Sequence, residues 1–151
     1  MIVVVESPFA GDVDLHVAYL RACLRHSLLR GESPFASHGL YTQPGVLDDT
    51  DPADRKMGIG AGLEFYSVAK VCAVYTDLGV SRGMKEGILR AKSMGVEVDL
   101  RSIAPVTIAA TYRGEPAQIV IRKPGGVLIR PRGAPNRCFI RRFPPQPTED
   151  T

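Results

Sequence analysis

Four acidic residues lie where a parallel sheet would expose them for chemistry. Glu6 and Asp12 border the loop after the first predicted strand, and Asp77 and Glu86 follow the central strand. Ligands of open parallel sheets bind at the carboxyl ends of the strands. There a carboxylate can attack an electrophilic carbon, and a carboxylic acid can protonate a leaving group. Asp77 has the best general position among the four, although a turn aspartate bonded to nearby amides is the plain alternative.

Two glycine-containing loops precede predicted helices and are candidate anion sites. The first covers residues 7–12 and reads Ser-Pro-Phe-Ala-Gly-Asp, and the second covers residues 76–83. Gly11 permits close backbone approach, and the amides of the following helix start can receive a phosphate. Arg82 adds a cation to the second loop. The alternative is that both loops are plain turns with helix caps.

His38 and an aspartate-rich loop are weaker candidates. A histidine near a cleft can contact a phosphate or transfer protons, and a surface or packing role is the alternative. The loop contains Asp48, Asp49, Asp51 and Asp54. Their spacing fits no known cation loop, and acidic residues suit the start of a helix. We expect no metal and no cofactor.

Hydrophobic spacing predicts an alternation of strands and helices. Val13, Val17, Leu20, Leu24 and Leu28 repeat at helical spacing. Such alternation is typical of a doubly wound parallel sheet with helices on both faces. The predicted strands are 2–6, 34–37, 68–75 and 96–100, and the predicted helices are 13–30, 53–67 and 81–95.

Three glycines at positions 58, 60 and 62 interrupt the second predicted helix. They do not follow a strand, so they are not a dinucleotide-binding fingerprint. Glycine weakens a helix, which indicates close helix packing, an oligomer contact or a ligand passing near.

The sequence changes character after residue 101. Residues 101–151 contain 9 Lys and Arg against 3 Asp and Glu, whereas residues 1–100 contain 10 against 13. A basic segment is typical of nucleic-acid binding. Strand alternation would place many of these charges on one solvated face, which is the plainer interpretation, and the segment could also complete a neighbouring subunit's site. Short strands are predicted at 107–112, 118–122, 127–130 and 139–143. Seven of the nine basic residues lie from position 122 onward: Arg122, Lys123, Arg130, Arg132, Arg137, Arg141 and Arg142.

Composition indicates an ordinary globular protein. Hydrophobic residues make up 44% of the chain, and no apolar run approaches the roughly 18 residues of a membrane span. The first residues form a strand pattern without a basic signal-peptide region. The three cysteines are widely spaced and form neither a disulfide framework nor a metal pair. We expect a cytoplasmic protein without a membrane partner.

The order of four segments resembles a group of uncharacterised phage and bacterial proteins. The segments are Ser7 to Asp12, Pro34 to His38, Leu47 to Asp49 and Tyr75 to Met84. That group is similar to nucleoside 2-deoxyribosyltransferases and to deoxynucleoside 5′-monophosphate N-glycosidases. The resemblance covers about residues 1–101. It implies a flavodoxin-like sheet, a nucleoside or nucleotide ligand and a homo-oligomer, in the host cytoplasm if the chain is phage-encoded.

The catalytic carboxylates of those enzymes do not carry over directly. The glutamate nucleophile near the start of the third helix aligns with Gly87, and an aspartate of the central strand aligns with Lys70. Glu86 is adjacent to the nucleophile position, but helical phase places it about 160° from Met84 and toward solvent. A local shift at the helix start would bring Glu86 back to the site.

The resemblance and the residues together give the site prediction. Asp77 and Glu86 are the predicted catalytic residues. The predicted ligand-binding residues are Ser7, Pro8, Phe9, Gly11, Asp12, His38, Ser81, Arg82, Gly83 and Met84.

The predicted organisation is a deoxyribosyltransferase-like α/β domain at 1–101, a basic β-rich extension at 102–147 and a disordered tail at 148–151. The first functional hypothesis is an N-glycosidase or deoxyribosyltransferase. The second is a protein that sequesters a nucleotide without catalysis. The third is a nucleic-acid-binding module that uses the basic extension.

Overall fold

Two four-stranded sheets make up the frame of the protein. The computed structural model describes residues 1–134 and 136–143. Its first sheet contains β1 (Ile2–Glu6), β2 (Ser33–Phe35), β3 (Val71–Tyr75) and β4 (Glu97–Arg101). These strands are parallel and lie in the order β2-β1-β3-β4. The predicted mixed α/β class with a parallel sheet is confirmed.

The helices are α1 (Val13–Leu29), α2 (Ser37–Leu40), α3 (Pro52–Glu64) and α4 (Arg82–Ser93). Asp12 caps α1, since its carboxylate accepts the N–H of Leu15. The helix predicted at 53–67 ends at Glu64, and a 3-10 turn covers Phe65–Ser67. The sequence does not predict α2, because a single turn is too short to show helical periodicity.

The parallel sheet is covered on both faces. Val3, Val5 and Tyr75 belong to the core that contains α1 residues such as Tyr19. Val4, Cys72 and Val74 pack in a second cluster with Tyr66 and with Met84 and Ala91 of α4. Side chains alternate along a strand, so Glu6 projects to the same face as Val4, toward α4.

The second sheet is antiparallel and follows directly after β4. It contains β5 (Val106–Tyr112), β6 (Glu115–Arg122), β7 (Gly126–Pro131) and β8 (Phe139–Arg142), in that order. The four strands predicted after residue 101 are thus present. One face of this sheet, which includes Ile119 and Ile129, joins the core around α1. The tail predicted as disordered, 148–151, lies outside the described residues.

Close packing of α3 against α2 and against the loop after α2 explains two of the three helix glycines. A Cβ on Gly62 would lie 2.5 Å from the Ser37 hydroxyl oxygen, and one on Gly58 would lie 3.1 Å from a methyl carbon of Leu47. A Cβ on Gly60 would have no atom of the described residues within 4 Å, apart from its chain neighbours and the backbone of its own helix. No helix within residues 1–134 and 136–143 is long and apolar enough to cross a membrane.

Candidate functional site

A cavity of about 260 Å³ opens at the carboxyl end of β1, between α2 and α3 on one side and α4 on the other. This volume is close to the lower end of the range of small-molecule sites. Apolar groups such as Phe9 and Met84 form part of the lining. The polar side chains around the cavity are Glu6, Ser7, Ser37, His38, Asp49, Arg55, Tyr66, Ser81 and Arg82.

Glu6 brings a partly protonated carboxyl group into this cavity. The Tyr66 hydroxyl donates a hydrogen bond to Oε1 of Glu6 over 2.6 Å. Burial raises the pKa of Glu6 to about 7, and the Tyr66 hydrogen bond opposes that rise only in part. A carboxyl group with a pKa near 7 is present in both the acid and the carboxylate form at neutral pH.

Gly87 leaves the space that the Glu6 side chain uses. A Cβ built on Gly87 would lie 2.6 Å from Cδ of Glu6 and 2.9 Å from the Tyr66 hydroxyl oxygen. Carbon atoms do not approach each other so closely without a shift of one of them. Any larger residue at position 87 must therefore displace the Glu6 carboxyl group.

Ser7 and His38 form a second polar group in the cavity. The Ser7 hydroxyl and Nε2 of His38 are 2.8 Å apart. Burial lowers the pKa of His38 to about 4, and the nearby His16 contributes to the lowering. His38 is therefore neutral near pH 7. The loop of residues 7–12, which contains Ser7, is fixed by the hydrogen bond between the His16 ring and the Phe9 carbonyl oxygen, at 2.8 Å.

The N-terminus of α4 forms the opposite rim. The Ser81 hydroxyl accepts the N–H of Met84, and the Met84 sulfur accepts the N–H of Ser81, both at 3.3 Å. The Arg82 side chain is 95% exposed, so its guanidinium can reach a ligand at the cavity mouth. The positive end of a helix dipole and an arginine together favour an anionic group at this rim.

Arg55 and Asp49, which also line the cavity, form an ion pair with each other. Nη1 of Arg55 lies 2.5 Å from Oδ2 of Asp49. Glu6 makes no ion pair with any described residue. The described residues also contain no group of three or more His, Cys, Asp or Glu side chains that could hold a metal ion.

Seven of the ten predicted ligand-binding residues line the cavity: Ser7, Phe9, His38, Ser81, Arg82, Gly83 and Met84. Pro8 is buried beside them without lining it. The predicted anion cradle at Gly11 and Asp12 is not at the cavity. Asp12 instead binds the extension, accepting a hydrogen bond from the Tyr112 hydroxyl at 2.9 Å, and Gly11 lies beside this contact.

The structure does not bring Asp77 to the cavity. Its carboxylate accepts hydrogen bonds from the hydroxyls of Tyr19 and Ser102, at 2.8 and 2.6 Å, and from the N–H groups of Ile103 and Ala104. This set of contacts fixes the segment between β4 and β5 against α1. Asp77 is therefore a structural residue, but its partners are a helix tyrosine and the segment after β4 and not the amides of its own turn, as the turn-aspartate interpretation expects.

Glu86 also lies outside the cavity. It is exposed and lies 3.7 Å from Arg82, one helical turn away. The expectation that Glu86 faces solvent is confirmed, and the local shift that would bring it back is not seen.

Of the four candidate carboxylates in the sequence, Glu6 lines the cavity, whereas the two predicted catalytic residues, Asp77 and Glu86, do not. The available signal was the two-residue spacing between Val4 and Glu6, which places both side chains on the same face of the sheet. Tyr66 and Arg55 were missed, because nothing in their sequence context separates them from core or surface residues.

Comparison with known proteins assigns a family to the part of the chain that contains the cavity. Neither the curated proteins nor the solved structures give a match. A family described as a domain of unknown function, DUF7768, matches residues 1–101. This range includes the whole parallel sheet and every residue that lines the cavity. The chain therefore belongs to the DUF7768 family.

Proposed function

We propose that the protein acts on the N-glycosidic bond of a nucleoside or nucleotide, as an N-glycosidase or deoxyribosyltransferase in the cytoplasm. The observation that carries the proposal is the carboxyl group of Glu6, which lies in the cavity with a pKa of about 7. A general acid or base works best when its pKa is near the operating pH. The resemblance of residues 1–101 to deoxyribosyltransferase-like proteins supports the substrate class, and with it a flavodoxin-like sheet and a homo-oligomer.

One carboxyl group is enough for hydrolysis of this bond. Protonated Glu6 donates its proton to the base nitrogen as the bond between the anomeric carbon and that nitrogen breaks. The Glu6 carboxylate then takes a proton from water while the water oxygen bonds to the anomeric carbon. The products are free base and free sugar, and Glu6 is protonated again. In transfer, a nitrogen of a second base replaces the water.

Other cavity residues suit the rest of such a substrate. The neutral Ser7–His38 pair can exchange hydrogen bonds with a sugar hydroxyl, because both side chains have donor and acceptor atoms. Arg82 and the N-terminus of α4 are suited to an anionic substituent. Phe9 and Met84 offer apolar surface to a base.

Nucleotide capture without turnover is the second candidate. It is favoured by the lack of a second unpaired carboxyl group among the described residues of the cavity, since Asp49 is paired with Arg55. In addition, Gly87 and Lys70 stand at the two positions where the similar enzymes have catalytic carboxylates.

The test is incubation of the purified protein with deoxynucleosides, their 5′-monophosphates and NAD, followed by chromatography for free base. We expect one class of substrate to release base, and Glu6→Gln to reduce the release by about 100-fold or more. Glu86→Gln is the matched control, since it makes the same change on an exposed side chain. Binding of a nucleotide without any base release would support capture and overturn the enzyme.

A further inference from the structure

The outer face of the antiparallel sheet has a regular composition. Cross-strand pairing places Val120, Leu128 and Ile140 in one row over three neighbouring strands. Arg122 and Arg142 flank the row on one side, in register through Gly126. On the other side lies Arg130, which is paired with Gln118. The face is therefore an apolar row between arginines.

This face is open to solvent over the described residues. Ile140 is 68% exposed, and Arg122, Arg130 and Arg142 are all exposed. Val120 and Leu128 are half-buried beside Ile140, so the three side chains form a contiguous, partly exposed apolar strip. Contiguous apolar surface with a polar rim is a feature of contact surfaces, whereas single exposed apolar residues are ordinary. The opposite face is used for folding, since it packs in the core around α1.

The three arginines of the outer face have no acidic partner among the described residues. Other basic residues of the extension hold the structure together. Arg141 lies 3.9 Å from Asp12 of the parallel-sheet domain, and the guanidinium of Arg113 lies over the rings of Tyr112 and Phe139. Among the described residues, the outer-face arginines make neither an ion pair nor a contact with an aromatic ring, so their charges are available to a partner.

The charge balance of the extension points to an anionic partner. Residues 102–143 contain eight Lys and Arg and a single acidic residue, Glu115. Glu115 starts β6 and Arg122 ends it, so about 24 Å of strand separates them. No carboxylate of the described extension therefore lies beside Arg122 or Arg142, and Gln118, which pairs with Arg130, is three residues from Glu115, about 10 Å along β6.

We propose that the outer face of this sheet binds single-stranded nucleic acid. Arginine is suited to phosphate because its planar guanidinium donates two parallel hydrogen bonds. Arg122 and Arg142 lie two strands apart, about 10 Å, and Arg130 is about 13 Å further along the strand direction. Phosphates can contact these arginines while base faces cover Val120, Leu128 and Ile140. A duplex hides its base faces, so it can use only the arginines. This proposal is independent of the cavity.

The experiment measures fluorescence anisotropy of a labelled oligothymidine with the full chain at several salt concentrations. The test variant combines Arg122→Gln, Arg130→Gln and Arg142→Gln. The matched control combines Arg21→Gln, Arg25→Gln and Lys92→Gln, which removes the same charge from exposed positions on helices. We expect the test variant to weaken binding by tenfold or more and to lower the salt slope by about 2, at about 0.7 for each lost phosphate contact.

A second variant tests the apolar row without changing charge. Ile140→Ser is expected to weaken binding to the single strand several-fold and to leave duplex binding unchanged. Folding is not at risk, because Ile140 is mostly exposed.

Three results would overturn the proposal. They are equal loss of binding in the control variant, tighter binding to duplex than to the single strand, and absence of binding to either nucleic acid at low salt. If vesicles rich in phosphatidylserine bind wild type but not the test variant, while oligothymidine does not bind, the partner is a membrane surface instead.

Discussion

The carboxyl group of Glu6 occupies the space that a side chain at position 87 would fill, since a Cβ on Gly87 would lie 2.6 Å from its Cδ. Glu6 ends strand β1, and Gly87 lies on the cavity side of helix α4. The cavity thus obtains its carboxyl group from the strand and not from the helix. Glycine at position 87 is the condition for this arrangement.

Replacing Gly87 tests that condition. We expect Gly87→Ala to displace the end of the Glu6 side chain and to reduce base release by about 100-fold or more through loss of the acid–base group. The free energy of unfolding should change by only about 1 kcal/mol or less, because the clashing atoms lie at the ends of the Glu6 and Tyr66 side chains and alanine favours a helix over glycine. Urea unfolding and the base-release assay measure the two effects.

Gly60→Ala is the matched control, because it makes the same change in a helix at a position where the added Cβ would contact no described side chain within 4 Å. It is expected to stabilise the protein by about 0.5–1 kcal/mol and to leave base release unchanged. Similar effects of the two substitutions would show that Gly87 has no special relation to Glu6.

Glu6 also makes the stability of the protein depend on pH. Its pKa is about 7 when folded against 4.5 ordinarily, so the folded state favours the protonated form. The stability from this group is fully present below pH 4.5 and is lost as pH rises through 7. Glutamine does not titrate, so we expect Glu6→Gln to avoid this loss. The free energy of unfolding of Glu6→Gln minus that of wild type should therefore increase by about 3 kcal/mol between pH 4.5 and pH 8.

Urea unfolding of wild type, Glu6→Gln and Glu86→Gln at both pH values measures that advantage. The Glu86→Gln variant should follow wild type. A Glu6→Gln variant with the same pH dependence as wild type would mean that the Glu6 carboxyl group titrates normally.

Asp77 is expected to stabilise the fold and not to take part in catalysis. Asp77→Asn leaves part of its four hydrogen-bond donors unmatched, so we expect a loss of about 2 kcal/mol in the free energy of unfolding. Turnover per folded molecule should be unchanged, as measured by base release normalised to the folded fraction. Loss of turnover at unchanged stability would return Asp77 to the list of catalytic residues.

The periodic parts of the fold were predictable from the sequence. The repeat from Val13 to Leu28 marks α1, and the apolar run at Val71–Tyr75 marks the buried strand β3. The seven cavity residues were predictable because loops after parallel strands meet at one edge of a sheet. In contrast, α2 was not predictable from one helical turn.

The choice of carboxyl group was harder. Glu6 ends β1 and Asp77 follows β3, but they lie on opposite faces of the sheet, Asp77 against α1 and Glu6 toward α4. Position at a strand end does not separate them. Which of the two carboxyl groups lies in the cavity depends on the face of the sheet at which the cavity opens. That face is determined by the packing of α2, α3 and α4.

The pH dependence of kcat/KM for base release, in wild type and in Glu6→Gln, tests the central claim most directly. Since protonated Glu6 is proposed to start the reaction, kcat/KM of wild type should be constant below about pH 7 and fall about tenfold per pH unit above it. The Glu6→Gln variant should have a much lower value without this fall. A wild-type profile that Glu6→Gln leaves unchanged in height and shape would contradict the account.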